Sequence, residues 1–269
     1  MQVNSRFLFV CTIGPVQSFI AAARTTRDLA FGSWLLSELA KAAARRLCAV
    51  DAELVFPTPW RTDEDLKPGS DFNVGNKVMA LAKGKPEVIA EGVEGAVRGR
   101  LAELYASVEE FLRDRGAMEA ILQRAREQVE DLLEFYWSAA VYDGNNYAVA
   151  RNLTENALSL RKNTRDFAPW MGMEGVPKSA LDGFREAVVV VVGAQTHGLH
   201  RVRRYEDEGK VLVINEDPPK LREGEALSGV DIFKRVGGYR VLPFAGNVPS
   251  TSDMASKPFE EGLGRDKAD

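Results

Sequence analysis

The stretch FLFVCTIGPVQSFIAAARTTRDLAFGSWLLSELAKAAARRL, residues 7–47, decides the fold of this chain. It starts as a continuous apolar run, which is typical of a buried strand, and Gly14-Pro15 then marks a turn. The apolar residues that follow recur at helical spacing. Because Gly32 is unfavourable inside a helix and Ser33 is a preferred N-cap, the pattern predicts two helices separated by a break at 29–33.

Further strands and helices follow in an order that defines a fold class. Short apolar runs predict strands at 53–57, 76–84 and 135–144, and apolar residues on one face predict helices at 87–114 and 117–134. Together with the first strand and helix, the order is β-α-β-β-α-β. This order predicts an α+β fold of the ferredoxin-like type, an antiparallel sheet with long helices on one face.

The remainder of the chain predicts a second, looser region. A helix rich in charge is expected at 146–165 and a buried strand at 186–194. The residues beyond are rich in Arg, Glu, Gly and Pro and end without a closing core element. We therefore expect a palm-like domain with a helical extension at 1–175, followed by an apparently truncated strand and linker region at 176–269.

Two basic segments lie in this second region. They are HRVRRYEDEGK at 200–210 and FKRVGG at 233–238. We interpret both as solvated segments with internal salt bridges, because exposed runs of mixed charge most often have that role. The alternative is a strand whose alternate arginines share one face and contact RNA.

The composition limits the classes of function. A net charge of −4 excludes a protein that binds nucleic acid through its overall charge, so an anion site has to be local. The two cysteines, Cys11 and Cys48, supply neither a disulfide framework nor a cysteine zinc site. Two histidines are too few for a multi-histidine metal hydrolase. The sequence shows no signal-peptide pattern and no spanning apolar run, so we expect a soluble cytoplasmic protein.

One candidate binding site lies in the opening stretch. A helix that began at Ser33 would present free backbone N–H groups, Gly32 would allow close approach, and Arg24 and Arg27 lie nearby in the sequence. A phosphate or nucleotide could bind there. The alternative is a capped core helix with a solvated basic face. The chain contains no Walker A loop.

A second candidate site is a weak metal site. His197 and His200 form an HxxH pair, and Ser228 and Asp231 repeat this spacing 31 residues later. Two histidines and one carboxylate make a poor ligand set, and a solvated loop is the alternative. The sequence contains no Gly-Gly-Asp-Asp hairpin, no pair of metal-binding carboxylates at a strand turn and no nucleophile motif. The residues alone therefore predict no catalytic apparatus.

Several segments resemble one protein family in the same order along the chain. In the opening stretch, the pattern PVQ-FI--AR-TRDL--GS-LLS resembles the large subunit of type III-B (Cmr-type) CRISPR–Cas effector complexes, the Cas-ten family. Later segments that resemble the family are NVGNKVMAL with Asn76, FYWSAAV, LRKNTRDF and GVDIFKR…VPSTSDMA.

The resemblance implies a fold and an activity. Members of the family carry two palm-like, nucleotidyl-cyclase-like domains, and the second, with a Gly-Gly-Asp-Asp motif, makes cyclic oligoadenylate from ATP. Many also carry an HD nuclease domain. This chain resembles the first palm and the region after it, the N-terminal portion without the HD and Gly-Gly-Asp-Asp domains. It is then expected to be inactive alone, serving as a scaffold and as half of a composite ATP site.

The resemblance also implies site residues and a degenerate zinc knuckle. It places a nucleotide near Ser33, with Gly32 and Arg24 as lesser contacts. The implied cofactor is ATP in a shared site, and Mg²⁺ or Mn²⁺ is expected only with the second palm. The positions equivalent to the four-cysteine zinc knuckle of the family are His197, His200, Ser228 and Asp231. We therefore interpret the knuckle as degenerate.

The implied partners are the other subunits of the complex, the guide RNA and the target RNA. Two other functions stay open at this point. The chain is alternatively a stand-alone nucleotide- or RNA-binding module with a ferredoxin-like core. An active nucleotidyl cyclase in its own right is a weaker alternative, because the metal-binding carboxylates are missing.

Overall fold

The computed structural model describes residues 6–164, 172–173, 175–193, 199–217, 220–243, 248–249, 254 and 256–258. The fold is α+β, as predicted. In chain order the elements are β1 (Arg6–Gly14), α1 (Gln17–Ala21), α2 (Thr26–Cys48), β2 (Glu53–Phe56), α3 (Thr62–Asp65), β3 (Lys77–Lys83), α4 (Pro86–Arg113), α5 (Glu119–Leu132), β4 (Glu134–Tyr142), α6 (Tyr147–Asn163), β5 (Val189–Val192), α7 (Leu199–Asp207), β6 (Leu212–Asn215), β7 (Ala226–Leu227) and α8 (Gly229–Arg240).

The first four strands form one antiparallel sheet. The strand order is β2-β3-β1-β4, so β1 lies in the interior of the sheet between β3 and β4. Phe9 of β1 pairs with Ala80 on one side and with Ala139 on the other. The predicted order of strands and helices over this part of the chain is confirmed.

Both faces of this sheet are covered. Phe9 and Ile13 face the main core with α2 and α4, whereas Leu8 and Val10 face a second cluster that includes Leu158 of α6. This alternation follows the two-residue period of a strand. The prediction of helices on one face only is therefore wrong. Helix α6 is mostly exposed and charged, and only a narrow stripe of it is buried against the sheet: Ala150, Thr154 and Leu158. The prediction did not recognise this stripe.

The predicted helix break at 29–33 is also wrong. Helix α2 runs without interruption through Gly32 and Ser33, and it begins instead after Thr25. The Thr25 side chain accepts a hydrogen bond from the backbone N–H of Asp28, whose carboxylate accepts from the backbone of Thr25, which is a capping box. Gly32 faces α1, since a Cβ there would lie 3.6 Å from the ring of Phe19, which is an ordinary packing distance.

The second region has its own small sheet. Strand β5 pairs with β6 in parallel and with β7 in antiparallel orientation. The segment 200–210, interpreted above as a solvated edge or a strand, mostly belongs to helix α7. The predicted boundary at 175/176 stays a prediction, although apolar residues of β5 and α8 belong to the same core cluster as those of β1 and α2.

Helix α8 is a buried element of the core. Ten consecutive residues, Gly229–Gly238, are buried. It packs against α2, α4 and α5, and Phe233 makes edge-on ring contacts with Phe31 and Tyr105. The interpretation of 233–238 as a solvated basic segment is therefore wrong.

Candidate functional site

The buried arginine of α8 joins two distant motifs of the sequence. Arg235, 1% exposed, donates from Nε and Nη2 to the two carboxylate oxygens of Asp28 at 3.0 and 3.2 Å. Its Nη1 lies 3.0 Å from both carboxylate oxygens of Glu225. One buried cation thus lies between two buried carboxylates. The ARTTRDL motif that opens α2 is anchored to the KR motif of α8 by these bonds.

The neighbouring lysine fixes the turn before α2. Lys234 donates hydrogen bonds to the carbonyl oxygens of Phe19 and Ala22, the second at 2.6 Å. Its Nζ also lies 4.3 Å from the centre of the Phe19 ring. Burial lowers the pKa of Lys234 to about 8, although Asp231 and Asp28 oppose this shift. Lys234 therefore binds carbonyl groups at the C-terminal end of the short helix α1. Burying its charge costs free energy.

Replacing Lys234 by methionine is expected to change how stability depends on pH. The folded-state pKa of about 8 lies below the ordinary value of 10.5, so between these pH values the unfolded chain binds more protons than the folded one. The free energy of unfolding contributed by Lys234 therefore rises with pH across this range. The difference between wild type and Lys234→Met should shift in favour of wild type from pH 7 to pH 10, as measured by urea denaturation.

The control for this pH dependence is Lys67→Met, at an exposed lysine of the loop before β3. Its unfolding curve should follow wild type in parallel at every pH. Parallel curves for wild type and Lys234→Met would contradict the prediction, because they would show that Lys234 binds its proton equally in the folded and unfolded chains.

The three nucleotide contacts expected from the sequence lie on two different parts of the α1–α2 unit. Gly32 is buried against α1, and Ser33 is the one exposed residue within 31–44 of α2. Because α2 is continuous here, Ser33 is not an N-cap, and the helix N-terminus lies at Thr25. Arg24 precedes this N-terminus, and its Nη1 lies 3.4 Å from Glu225. The structure therefore leaves the hydroxyl of Ser33 as an exposed polar group.

An open cleft lies at the end of β1. Its lining includes residues 12–18, which shortly precede Arg24 in the sequence. It has a volume of about 510 Å³, within the range of small-molecule sites. Its lining includes Gly14 and Ser18 of the turn after β1, Glu134 of β4 and Lys162 of α6. A Cβ at Gly14 would lie 3.2 Å from the carboxylate of Glu134, so this carboxylate lies close to the backbone of the turn. The cleft offers one cation, one carboxylate and hydroxyl groups to a polar ligand.

Asn76 shapes this cleft, although the sequence singled it out only through the family resemblance. Its Nδ2 donates to Thr12 Oγ1 at 3.1 Å and to the carbonyl oxygen of Ile13 at 3.3 Å. Asn76 therefore fixes the end of β1. The sequence analysis did not identify Lys162 or Glu134 as site residues. Only the strand pairing places Glu134, at the start of β4, beside the end of β1.

A second cavity adjoins the cleft and shares Pro15, Ser18 and Glu134 with it. Its volume is about 750 Å³. Arg98, Arg161 and Arg185 line it together with acidic residues. Arg98 is paired with Glu94 at 2.7 Å and Arg185 with Asp182 at 3.0 Å, so the charges of these two arginines are already compensated within the chain.

Of the four candidate metal ligands, the structure describes the side chains of Ser228 and Asp231. Asp231 forms a capping box with Ser228 at the start of α8, and its Oδ2 also accepts from Ser179 Oγ at 2.5 Å. Burial raises the pKa of Asp231. His197 lies outside the described residues, and only the backbone of His200, in α7, is described. In the described part of the chain, no three His, Cys, Asp or Glu residues form a cluster that could hold a metal ion.

Fold and site together define an α+β protein with a helix-covered antiparallel sheet, a polar cleft at the end of its interior strand and a helix anchored through a buried arginine. Residues 8–106 match the family CRISPR-associated protein Cmr2, N-terminal. Over these residues the match bears out the resemblance to the large subunit of type III-B CRISPR–Cas complexes that was recognised from the sequence. The comparison with curated proteins finds no match.

Two solved structures share the fold. A chain of type III-B Cmr-beta in the apo state superposes with a TM-score of 0.62 and 15% identity, over 98% of this chain and 37% of that chain. A chain of type III-B Cmr-beta bound to cognate target RNA gives a TM-score of 0.59 and 16% identity, over 98% of this chain and 38% of that chain. The chain thus spans less than two fifths of the length of these chains.

Within the described part of the chain, none of the helices combines the length and hydrophobicity that a membrane span requires.

Proposed function

We propose that this chain is the first palm and following region of a type III-B large subunit. In this role it is a scaffold within an RNA-guided effector complex in the cytoplasm. The observation that carries the proposal is the family match over 8–106, which includes the ARTTRDL motif and runs from within β1 to within α4. The proposed partners are the other subunits, the guide RNA and the target RNA. In support, one structure of similar fold contains cognate target RNA.

The four-stranded sheet is the proposed ferredoxin-like palm. Its strand order, β2-β3-β1-β4, with every neighbouring pair antiparallel, is the order that a β-α-β-β-α-β unit produces when each helix crosses over to a parallel strand. Helices α2 and α4 are the two crossovers, with α5 added to the second. This topology supports the palm assignment, and α6 is an addition on the other face.

The palm contributes half of a composite ATP site, with Ser33 as its principal contact and Gly32 and Arg24 as lesser ones. A site completed by a second palm needs groups on the outer surface of the first, and Ser33 is exposed while its neighbours on α2 are buried. The Mg²⁺ or Mn²⁺ ions would bind to carboxylates of the second palm. The sequence of this chain has no Gly-Gly-Asp-Asp motif, so alone it should make no oligoadenylate.

Replacing Ser33 by alanine is expected to lower cyclic oligoadenylate synthesis about tenfold or more in the reconstituted complex with target RNA. The reason is the loss of one hydrogen bond to a charged group, worth about 1.5–3 kcal/mol. The measurement is the rate of product formation from ATP at saturating Mg²⁺, with assembly of the complex checked by size-exclusion chromatography.

The matched control is Ser159→Ala on the exposed face of α6, which should leave the rate unchanged. A normal rate for Ser33→Ala would contradict the assignment of this residue. If the rate fell instead for Lys162→Ala, the nucleotide would lie in the cleft at the end of β1. Synthesis by this chain alone would contradict the scaffold role.

The alternative function is a stand-alone nucleotide- or RNA-binding module. The favouring observation is the main core cluster, which contains residues of helices from both regions of the chain, as expected of an independent folding unit. A stable monomer that binds ATP tightly without other subunits would support it.

A further inference from the structure

Residues 57–75, which make up nearly all of the loop between β2 and β3, are held on helix α2. Apart from the single turn α3 it has no regular secondary structure. The two carboxylate oxygens of Glu38 accept from the backbone N–H of Gly69 at 3.1 and 3.0 Å. Lys41 Nζ donates to the carbonyl oxygen of Ser70 at 2.7 Å. Side chains of α2 thus satisfy backbone groups of this 57–75 loop.

These side chains are themselves buried and paired. Glu38 and Lys41 form an ion pair at 2.6 Å, and Arg100 reaches Glu38 at 2.8 Å. Burial alone would raise the pKa of Glu38, but the hydrogen bonds from Lys41 and Arg100 hold it below its ordinary value. Leu66 adds a fully buried apolar contact from within the loop. The loop is therefore fixed in one conformation at several points.

Trp60 lies on this loop and is 96% exposed. Its backbone N–H donates to Asp65 Oδ2 at 2.8 Å, and the same oxygen accepts from Arg61 N–H at 3.0 Å. Phe56, four residues earlier, is also exposed, and it lies at the end of the edge strand β2. Tryptophan is enriched at the energetic centres of protein interfaces. Because the backbone around Trp60 is already ordered in the free chain, binding through this side chain loses less conformational entropy.

The charges of the loop select the class of partner. It carries two basic residues, Arg61 and Lys67, and one of them is paired: Arg61 lies 2.6 Å from Glu64. Its four acidic residues are Asp63, Glu64, Asp65 and Asp71. Excess negative charge around an aromatic side chain repels the phosphates of a nucleic acid and attracts basic side chains. The chemistry therefore fits a protein surface rather than RNA.

We propose that Trp60 is the anchor by which this chain docks a protein subunit that presents an apolar pocket edged by lysine or arginine. The inference rests on the proposed function, since the partner is another subunit of the same effector complex. The acidic side chains of the loop face the basic rim of that pocket, and Phe56 extends the contact along the edge of the sheet.

The test measures binding of this chain to the separately purified remaining subunits by biolayer interferometry. Trp60→Ala is expected to raise the dissociation constant tenfold or more, as for other central interface residues. Trp60→Phe should retain most of the affinity, because an aromatic ring still fills the pocket. Replacing Asp63 and Glu64 by lysine should slow association, and this effect should weaken at high salt.

The matched control is Leu160→Ala, at another exposed apolar side chain on α6, 69% exposed, and it should bind as wild type does. Since Trp60 has almost no contact with the core, its variants should melt at the wild-type temperature. Equal affinity for Trp60→Ala and wild type would overturn the inference and leave the proposed function intact. A loss of affinity for RNA instead of for the subunits would also overturn it. Failure of the wild-type chain to bind any subunit would refute the proposed function itself.

Discussion

Replacing Arg235 by methionine is expected to destabilise the folded chain by about 3–5 kcal/mol. The substitution removes the buried cation between Asp28 and Glu225, and the ion pair left to Glu225 is the longer one, 3.4 Å, with the half-exposed Arg24, so both buried carboxylates are under-compensated. Methionine fills a similar volume, so the loss reflects the uncompensated charges rather than a cavity. The free energy of unfolding should be measured by urea denaturation, with circular dichroism and tryptophan fluorescence as independent probes.

The control lies on the same helix. Arg240 is paired with Glu110 at 3.5 Å, and the Glu110 side chain is 69% exposed, so Arg240→Met should cost less than about 1 kcal/mol. A triple variant that adds Asp28→Asn and Glu225→Gln to Arg235→Met should recover part of the lost stability, because it removes the buried negative charges. Equal stability of Arg235→Met and Arg240→Met would contradict the prediction.

The same network links α8 to the proposed nucleotide surface. The Oδ2 atom of Asp28 accepts from the backbone N–H groups of Arg24 and Thr25 at 3.0 Å each, and Arg24 reaches Glu225. The turn that precedes α2 is therefore set by residues about two hundred positions away in the sequence. The side chain of Arg24 is therefore already paired with Glu225, and a contact between Arg24 and a nucleotide would compete with this ion pair.

The sequence predicted the four-stranded sheet because its strands carry local patterns. Strand β1 contains seven consecutive buried residues, and β3 is also largely buried, so both are recognisable in the sequence as apolar segments. The position of the α2 N-terminus was also readable but was missed. Thr25 and Asp28 have capping-box spacing, as do Ser228 and Asp231, and in both cases the structure shows the box.

The rest depended on contacts that no local pattern records. Lys234 and Arg235 look like solvated charges, because only their distant partners show that they are buried. Gly32 suggested a helix break because glycine has a low helix propensity, but it lies inside α2, buried against α1, and tertiary packing overrides that preference. The cleft at the end of β1 also required the register of β4 against β1, which the sequence does not give. Contacts between residues far apart in the sequence thus account for the wrong predictions and for the site residues that the sequence analysis did not identify.

Replacing Gly229 by alanine is expected to destabilise the chain by about 3 kcal/mol, whereas Gly99→Ala should stabilise it by about 0.5–1 kcal/mol. A Cβ at Gly229 would lie 2.4 Å from the backbone oxygen and 2.7 Å from the Cα of Ala125, so no side-chain rotation relieves the clash. Helix α8 would have to move away from α5. At Gly99, within α4, nothing lies within 4 Å, so alanine only restricts the unfolded chain.

Both glycine variants are compared with wild type in one urea titration. Opposite shifts of the midpoint are the expected result. A third variant, Gly238→Ala, places its Cβ 3.0 Å from the flexible Arg27 side chain and should fall between the other two. An unchanged midpoint for Gly229→Ala would show that α8 does not press against α5. A folded but weakened Gly229→Ala chain should also lose the bond from the N–H of residue 229 to Gln128 Oε1, now 2.6 Å, because the same displacement separates both contacts.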